Sequence, residues 1–164
     1  MKILVVANQK GGVGKTTTTL NLAASLAAAG RKILLLDIDS QANLTTGIGG
    51  KKTYEEMTIT DVLLDDASLE SLIQKNSDFN FDVIPGSPDL ISAELGMARV
   101  PDPTSILKGK LNYLAHKYDY CLIDCPPSLG MLSVSALRAA DKIIIPLQCE
   151  HFSIEGLAAM QRTI

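Results

Sequence analysis

The sequence predicts an α/β fold, a three-layer, mostly parallel sheet with helices on both faces. Three observations predict it. Short apolar runs rich in β-branched residues recur at residues 3–7, 33–36, 81–84, 120–123 and 143–147. Apart from Asp82 each is apolar, as a strand covered on both faces should be. Stretches with helical spacing alternate with these runs, and alternation of that kind builds parallel sheets. Finally, the first run passes directly into a glycine-rich loop that opens a helix, the setting of a phosphate cradle.

The helices follow in order. Residues 15–29 carry Leu22 and Leu26 one turn apart, and Gly30 stands where a helix would end. Leu and Ile recur with helix-like spacing over 60–74 and again over 104–117, and residues 128–140 make a further helix on the sheet face. Residues 43–52, rich in Gly, Thr and Lys, and 85–103, with four prolines, are expected to be loops. Residues 152–164 begin another helix and stop without a cap or a following strand. The 164 residues suit a single domain, 1–164, expected to lack its C-terminal strands and helices.

The loop runs Asn8-Gln9-Lys10-Gly11-Gly12-Val13-Gly14-Lys15-Thr16. Glycines let the backbone bring several N–H groups to phosphate oxygens, and the helix N-terminus adds a favourable dipole. Lys15 supplies a point charge for β- and γ-phosphates, and the Thr16 hydroxyl suits Mg²⁺. Gly11, Gly12, Val13, Gly14, Lys15, Thr16 and Thr17 are the expected nucleotide-binding residues. The bland alternative is a glycine-rich turn that binds nothing, against which the lysines and Thr16 stand in register. The common expression G-x-x-x-x-G-K-[ST] fails, because Gln9 occupies the first glycine position; the pattern is K-G-G-x-G-K-[ST].

That pattern resembles the deviant Walker A ATPases, the P-loop NTPases with a Rossmann-like sheet that include ParA, MinD and the nitrogenase iron protein. By resemblance, Lys10 reaches across a nucleotide-sandwich dimer to the partner's ATP, and Gly11 allows the close packing. Lys10, Lys15 and Asp39 are then the catalytic residues.

Two acidic strand ends complete the set. The strand Leu34-Leu35-Leu36 ends in Asp37-Ile38-Asp39, carboxylates that need cations or water at the edge where the phosphate loop opens. They are expected to point to different sides, one toward Mg²⁺-bound water and the other toward the γ-phosphate. The resemblance makes Asp37 the metal-side carboxylate and Asp39 the residue that orients attacking water. Asp124 resembles the Walker B aspartate, holding Mg²⁺ through water, although an Asp after four apolar residues also commonly caps a turn. Metal ligation is thus expected from Thr16, Asp37 and Asp124. Residues 126–130 resemble the family's second switch loop, which senses the γ-phosphate. Phosphoryl transfer relies on positioning and charge neutralisation, and these residues supply both.

Within the family, Ser40-Gln41-Ala42-Asn43-Leu44-Thr45 is similar to the D-P-Q-x-N-x-T of ParA/Soj, with Ser40 in place of the proline. Met131 stands where an iron protein would need a cluster cysteine. The resemblance implies slow ATP hydrolysis, dimerisation on ATP binding, a ParB-like activating partner and a role in chromosome or plasmid partitioning. Alternatives are a membrane-cycling positioning ATPase like MinD and a nucleotide-binding module without turnover. Non-specific DNA binding and a place on the nucleoid are implied by resemblance alone. Fifteen Lys plus Arg against eighteen Asp plus Glu give a net charge of −3, and no basic cluster is visible.

Apolar runs fall short of the roughly 20 residues that span a bilayer, which predicts a soluble protein, and an odd number of cysteines, three, with no signal peptide predicts a reducing cytoplasm; no membrane partner is expected. Cys125, Cys149 and His151 match no zinc spacing, and the cysteines, Cys121 among them, are read as buried small hydrophobes. His116 is expected on a solvated helix face, and Tyr113, Tyr118 and Tyr120 are expected to pack.

Overall fold

The computed structural model describes residues 1–49, 57–65, 67–76 and 78–148. In chain order the elements are β1 (Lys2–Val6), α1 (Lys15–Ala28), β2 (Ile33–Asp37), α2 (Asn43–Gly47) and α3 (Ile59–Leu64). There follow β3 (Gln74–Asn76), β4 (Phe81–Ile84), α4 (Leu90–Met97), α5 (Ile106–Asn112), β5 (Tyr120–Asp124), α6 (Met131–Ala139) and β6 (Lys142–Ile144). Among the described residues the strands form one sheet in the order β3-β4-β2-β5-β1-β6. All neighbours are parallel except β3 on β4.

Strand alternation divides the core into two clusters, one on each face of the sheet. Leu4, Leu35, Val83 and Leu122 turn toward α1 and α2, where Ala23, Ala27 and Leu44 meet them. Val5, Leu34, Leu36, Ile84 and Ile123 turn the other way, onto α3, α4, α5 and α6. Each fully buried Leu or Ile contributes about 1.5–3 kcal/mol, so both faces hold the sheet. Helix α1 buries Thr19, Ala23 and Ala27, four residues apart, small side chains that let its backbone approach the strands. It ends as the sequence predicts: Gly30 adopts φ 76°, its N–H donates to Ala27 O at 2.9 Å, and Arg31 N donates to Leu26 O at 3.0 Å.

Several expected boundaries are corrected. Residues 60–74 are not one helix but α3, a 3₁₀ turn at Leu69–Leu72 and the edge strand β3. Thr58 and Asp61 cap the first piece, and the Ser68 hydroxyl accepts from Glu70 N at 3.2 Å to start the second. Pairing with β4 draws residues 74–76 into the sheet. The stretch 104–117 shortens to α5, because Pro103 opens a 3₁₀ turn ahead of it and turns replace its end. Helix α6 begins at Met131, three residues later than expected, after Pro126, Pro127 and Gly130.

Two expected loops contain helices. Helix α2 lies within 43–52, and α4 lies within 85–103, where all four prolines fall outside Leu90–Met97. The expected helix at 152–164 lies outside the described residues. Among the described residues, no helix is long and apolar enough to cross a membrane.

Candidate functional site

Register places the acidic strand ends beside the glycine loop. Val6, the last residue of β1, pairs with Asp124, and Asp124 pairs with Asp37 on its other side. The three central strands therefore deliver the loop and both carboxylates to one edge, the C-terminal edge where open α/β sheets bind ligands.

The loop leaves β1 and bends through Gly12 at φ 73° and Gly14 at φ 93°, conformations that favour glycine. Gly14 caps α1 without a side chain, so the first-turn N–H groups of α1 have no side-chain cap from it and no intrahelical acceptor. Lys15, only 8% exposed, donates through Nζ to Lys10 O at 3.2 Å, which folds its ammonium back over the loop. The Thr16 hydroxyl donates to Asp124 Oδ2 at 2.6 Å. Thr19 Oγ1 lies 3.0 Å from Lys15 O and 3.3 Å from Asp124 Oδ1. Asp124 is 1% exposed, and burial pushes its carboxyl up to about 7, with the hydroxyls of Thr16 and Thr19 working against that and the charge of Asp37 adding to it. A buried carboxylate that disfavours its own charge is poised to gain from a cation.

Asp37 and Asp39 have different surroundings, as expected, but strand alternation is not the cause. Residues two apart on a strand share a face; these differ because β2 ends at Asp37 and the chain then turns. Asp37 is fully buried. Its Oδ2 accepts from Thr45 N at 3.0 Å and Thr45 Oγ1 at 2.7 Å, and its Oδ1 accepts from Asp39 N at 3.1 Å. Burial raises its pKa, and the Thr45 and Asp39 donors lower it. Both oxygens of Asp37 thus hold the chain that follows β2. Asp39 reaches the opening, where its Oδ1 accepts from Gln41 N at 2.9 Å.

A cleft of about 390 Å³ brings most of the predicted set together: Gly11, Gly12, Gly14, Lys15, Thr16 and Thr17 on one side, Asp39, Gln41 and Asn43 on the second, and Pro127 on the third. Val13 is buried beneath the loop, and Asp37 does not line the cleft. A larger hollow of about 690 Å³ lies at the opposite edge, against Lys32, Phe81 and Tyr118 at the strand beginnings, away from the phosphate loop.

Two residues of the site have bracing roles that the motif does not announce. Asn8 accepts through Oδ1 from Lys10 N at 3.0 Å and donates through Nδ2 to Pro146 O at 2.8 Å, while Gln148 Nε2 donates to Gly12 O at 3.3 Å. The segment after β6 therefore braces the glycine loop. Only the place of Asn8 at the start of the loop hints at this, since its partner lies 138 residues away.

The remaining candidates resolve simply. Cys121 and Cys125 are buried, and burial pushes both thiols up, Cys121 to about 12. Cys149 and His151 lie outside the described residues, and among those described no group of three or more His, Cys, Asp or Glu could by itself hold a metal ion. His116 is exposed in a turn after α5 rather than on a helix. Tyr120 packs on the α1 side of the sheet and Tyr118 donates to Asp82 Oδ2 at 2.7 Å, whereas Tyr113 is 80% exposed and does not pack.

Comparison with known proteins agrees with this geometry. A family model described as an AAA domain matches residues 1–164. The sporulation initiation inhibitor protein Soj of Bacillus subtilis is 45% identical over 163 residues, covering 99% of the chain and 64% of the relative. The chromosome partitioning protein ParA of Myxococcus xanthus is 46% identical over 99% of the chain and 58% of its own length. The chain thus spans about three fifths of the length of these curated relatives. A crystal structure titled cobyrinic acid a,c-diamide synthase from Mycobacterium smegmatis, with bound ATP analogue and magnesium, superposes with a TM-score of 0.94 at 38% identity, covering 100% of this chain and 67% of that one.

Proposed function

Because the chain belongs to the AAA-domain family as a P-loop ATPase of the ParA/Soj group, we propose that it binds ATP with Mg²⁺, dimerises on the nucleotide and hydrolyses it slowly, as part of a DNA-partitioning protein. One observation carries the reading: the Thr16 hydroxyl and the buried Asp124 carboxylate meet at 2.6 Å, beside Lys15 and at the uncapped start of α1. A hydroxyl and a buried carboxylate that meet at the mouth of a phosphate loop suit a hydrated divalent cation.

Mg²⁺, when bound, would draw charge from the β- and γ-phosphate oxygens. The chain's own groups do the rest. Backbone N–H groups from Gly12 to Thr17 donate to phosphate oxygens, and Lys15 neutralises their charge. Thr16 and Asp124 would hold the cation, Asp124 through water. Asp39, in the cleft wall opposite the loop, orients the attacking water. Asp37 is given a different task from the one the resemblance implies: with both oxygens engaged, it anchors the segment that carries Asp39. Lys10 acts across the dimer, on the partner's nucleotide, so association gates turnover. A ParB-like protein would stimulate hydrolysis, and non-specific DNA would be the track of the whole protein, in the cytoplasm on the nucleoid.

The magnesium-bound ATP analogue of the mycobacterial structure supports the cofactor assignment.

The test is calorimetric titration with ATP and Mg²⁺, with particle mass recorded at saturation. The unmutated chain should bind and double its mass, and Lys15→Ala should lose binding by a hundredfold or more, roughly the value of a buried charge on phosphate. Unaltered affinity in Lys15→Ala would remove the phosphate-loop reading.

A further inference from the structure

We propose that Glu94 is a positioning residue, holding the loop at residues 126–130 in place against the phosphate cleft so that the site distinguishes ATP from ADP. The inference rests on the nucleotide reading above.

Pro127 forms one wall of the cleft, three residues beyond Asp124. Where that wall stands depends on the start of α6, because the Ser133 hydroxyl in its first turn donates to Ser128 O at 2.6 Å. The start of α6 is itself unsupported locally. Its N-cap is Gly130, which has no side chain to accept from the first-turn N–H groups. Glu94 supplies the acceptor from another element: its Oε1 takes the Leu132 N–H at 3.2 Å, placing a carboxylate at the positive end of α6.

The fit around this contact is close. A Cβ on residue 130 would stand 2.1 Å from Glu94 Oε1 and 2.8 Å from its Cδ, so the glycine makes room for the carboxylate. The contact also has a second attachment at the far side of the cleft. Gly86 N, ahead of α4, donates to Thr45 Oγ1 at 2.9 Å, and Thr45 is held by Asp37 below Asp39. The segment from Gly86 to Glu94 therefore touches the supports of two cleft walls, the one carrying Asp39 and the one carrying Pro127. A group with that placement should leave the α- and β-phosphate site intact and change the response to a third phosphate.

The test uses the full chain with Mg²⁺, and reads dissociation constants for ADP and for a non-hydrolysable ATP analogue by calorimetry, beside the melting temperature. Glu94→Ala should leave ADP within about twofold and weaken the analogue about tenfold, the size of one lost charge-assisted hydrogen bond. Glu94→Gln, whose amide oxygen can still accept from Leu132 N, should recover most of the difference. Gly130→Ala should reproduce the loss by displacing the carboxylate, and the double variant should lose no more than the worse single one, because both act through one contact. Should Glu94→Ala fail to fold, Gly130→Ala decides by the same ratio. Equal weakening of both ligands, or additive losses in the double variant, would overturn the role of Glu94 alone. An unmutated chain that binds neither ligand would overturn the nucleotide reading and this one with it.

Discussion

Thr45 shows how one hydroxyl can fix a site. It is fully buried, donates to Asp37 Oδ2 and accepts from Gly86 N, joining the segment after β2 to the segment after β4. Removing that hydroxyl leaves the Gly86 N–H buried without its acceptor and takes one of three donors from a buried carboxylate. Thr45→Val should therefore cost about 2–3 kcal/mol, which for a chain of this size lowers the thermal midpoint by roughly 5–10 °C. Thr45→Ser should retain most of it, and calorimetric melting of the three proteins checks this. Sequence patterns expose Lys15, Thr16 and Asp39 because their chemistry is local to a motif. They do not expose Thr45 in this role, because its partner Gly86 is 41 residues away.

At the scale of elements, helix starts are set by single residues and strands by neighbours. Thr58 begins α3 as half of a capping box: its hydroxyl accepts from Thr60 N at 3.2 Å, and Asp61 Oδ2 accepts from Thr58 N at 2.6 Å. The expected helix at 60–74 has the right beginning for this reason, within two residues. Thr58→Ala should cost about 1 kcal/mol and lower the melting midpoint by roughly 2–4 °C; an unchanged midpoint would mean that α3 is held by packing alone. The end of that expected helix fails because Gln74–Asn76 pair with β4, a partner no local periodicity can announce. Helix α4 is legible in the sequence: Leu90, Ala93 and Met97 have core-facing spacing, and the prolines that suggest a loop only flank it.

At the scale of the whole molecule, folding gathers buried carboxylates that resist ionisation. Asp124 is pushed up to about 7 and Asp37 is also raised, both mainly by burial. In the unfolded chain an Asp titrates near about 4. Between that value and about 7 the folded protein holds more protons than the unfolded one, so stability falls as pH rises through this window. With divalent cations chelated, the melting midpoint should climb as pH is lowered from about 8 toward about 5, and Asp124→Asn should flatten much of that slope. A midpoint that falls steadily over the same range would contradict the burial of these groups. Added Mg²⁺ should stabilise most at the high-pH end, where Asp124 is charged.

Apolar, β-branched runs and a glycine loop with its lysines and Thr16 were enough, in the sequence alone, to determine a mostly parallel sheet, its five parallel strands, the helix after the loop and the phosphate-binding character of that loop. These features are local: burial on both faces requires uniform apolarity, and phosphate requires closely spaced N–H groups and a cation. Tertiary structure alone decided that Asp124, and not Asp37, meets Thr16, that Asp37 is spent on Thr45 and Asp39, that Asn8 and Gln148 brace the loop, and that Glu94 caps a helix on another element. Each of these depends on strand order and register, and the order β4-β2-β5-β1 follows from which apolar faces bury together across the whole chain.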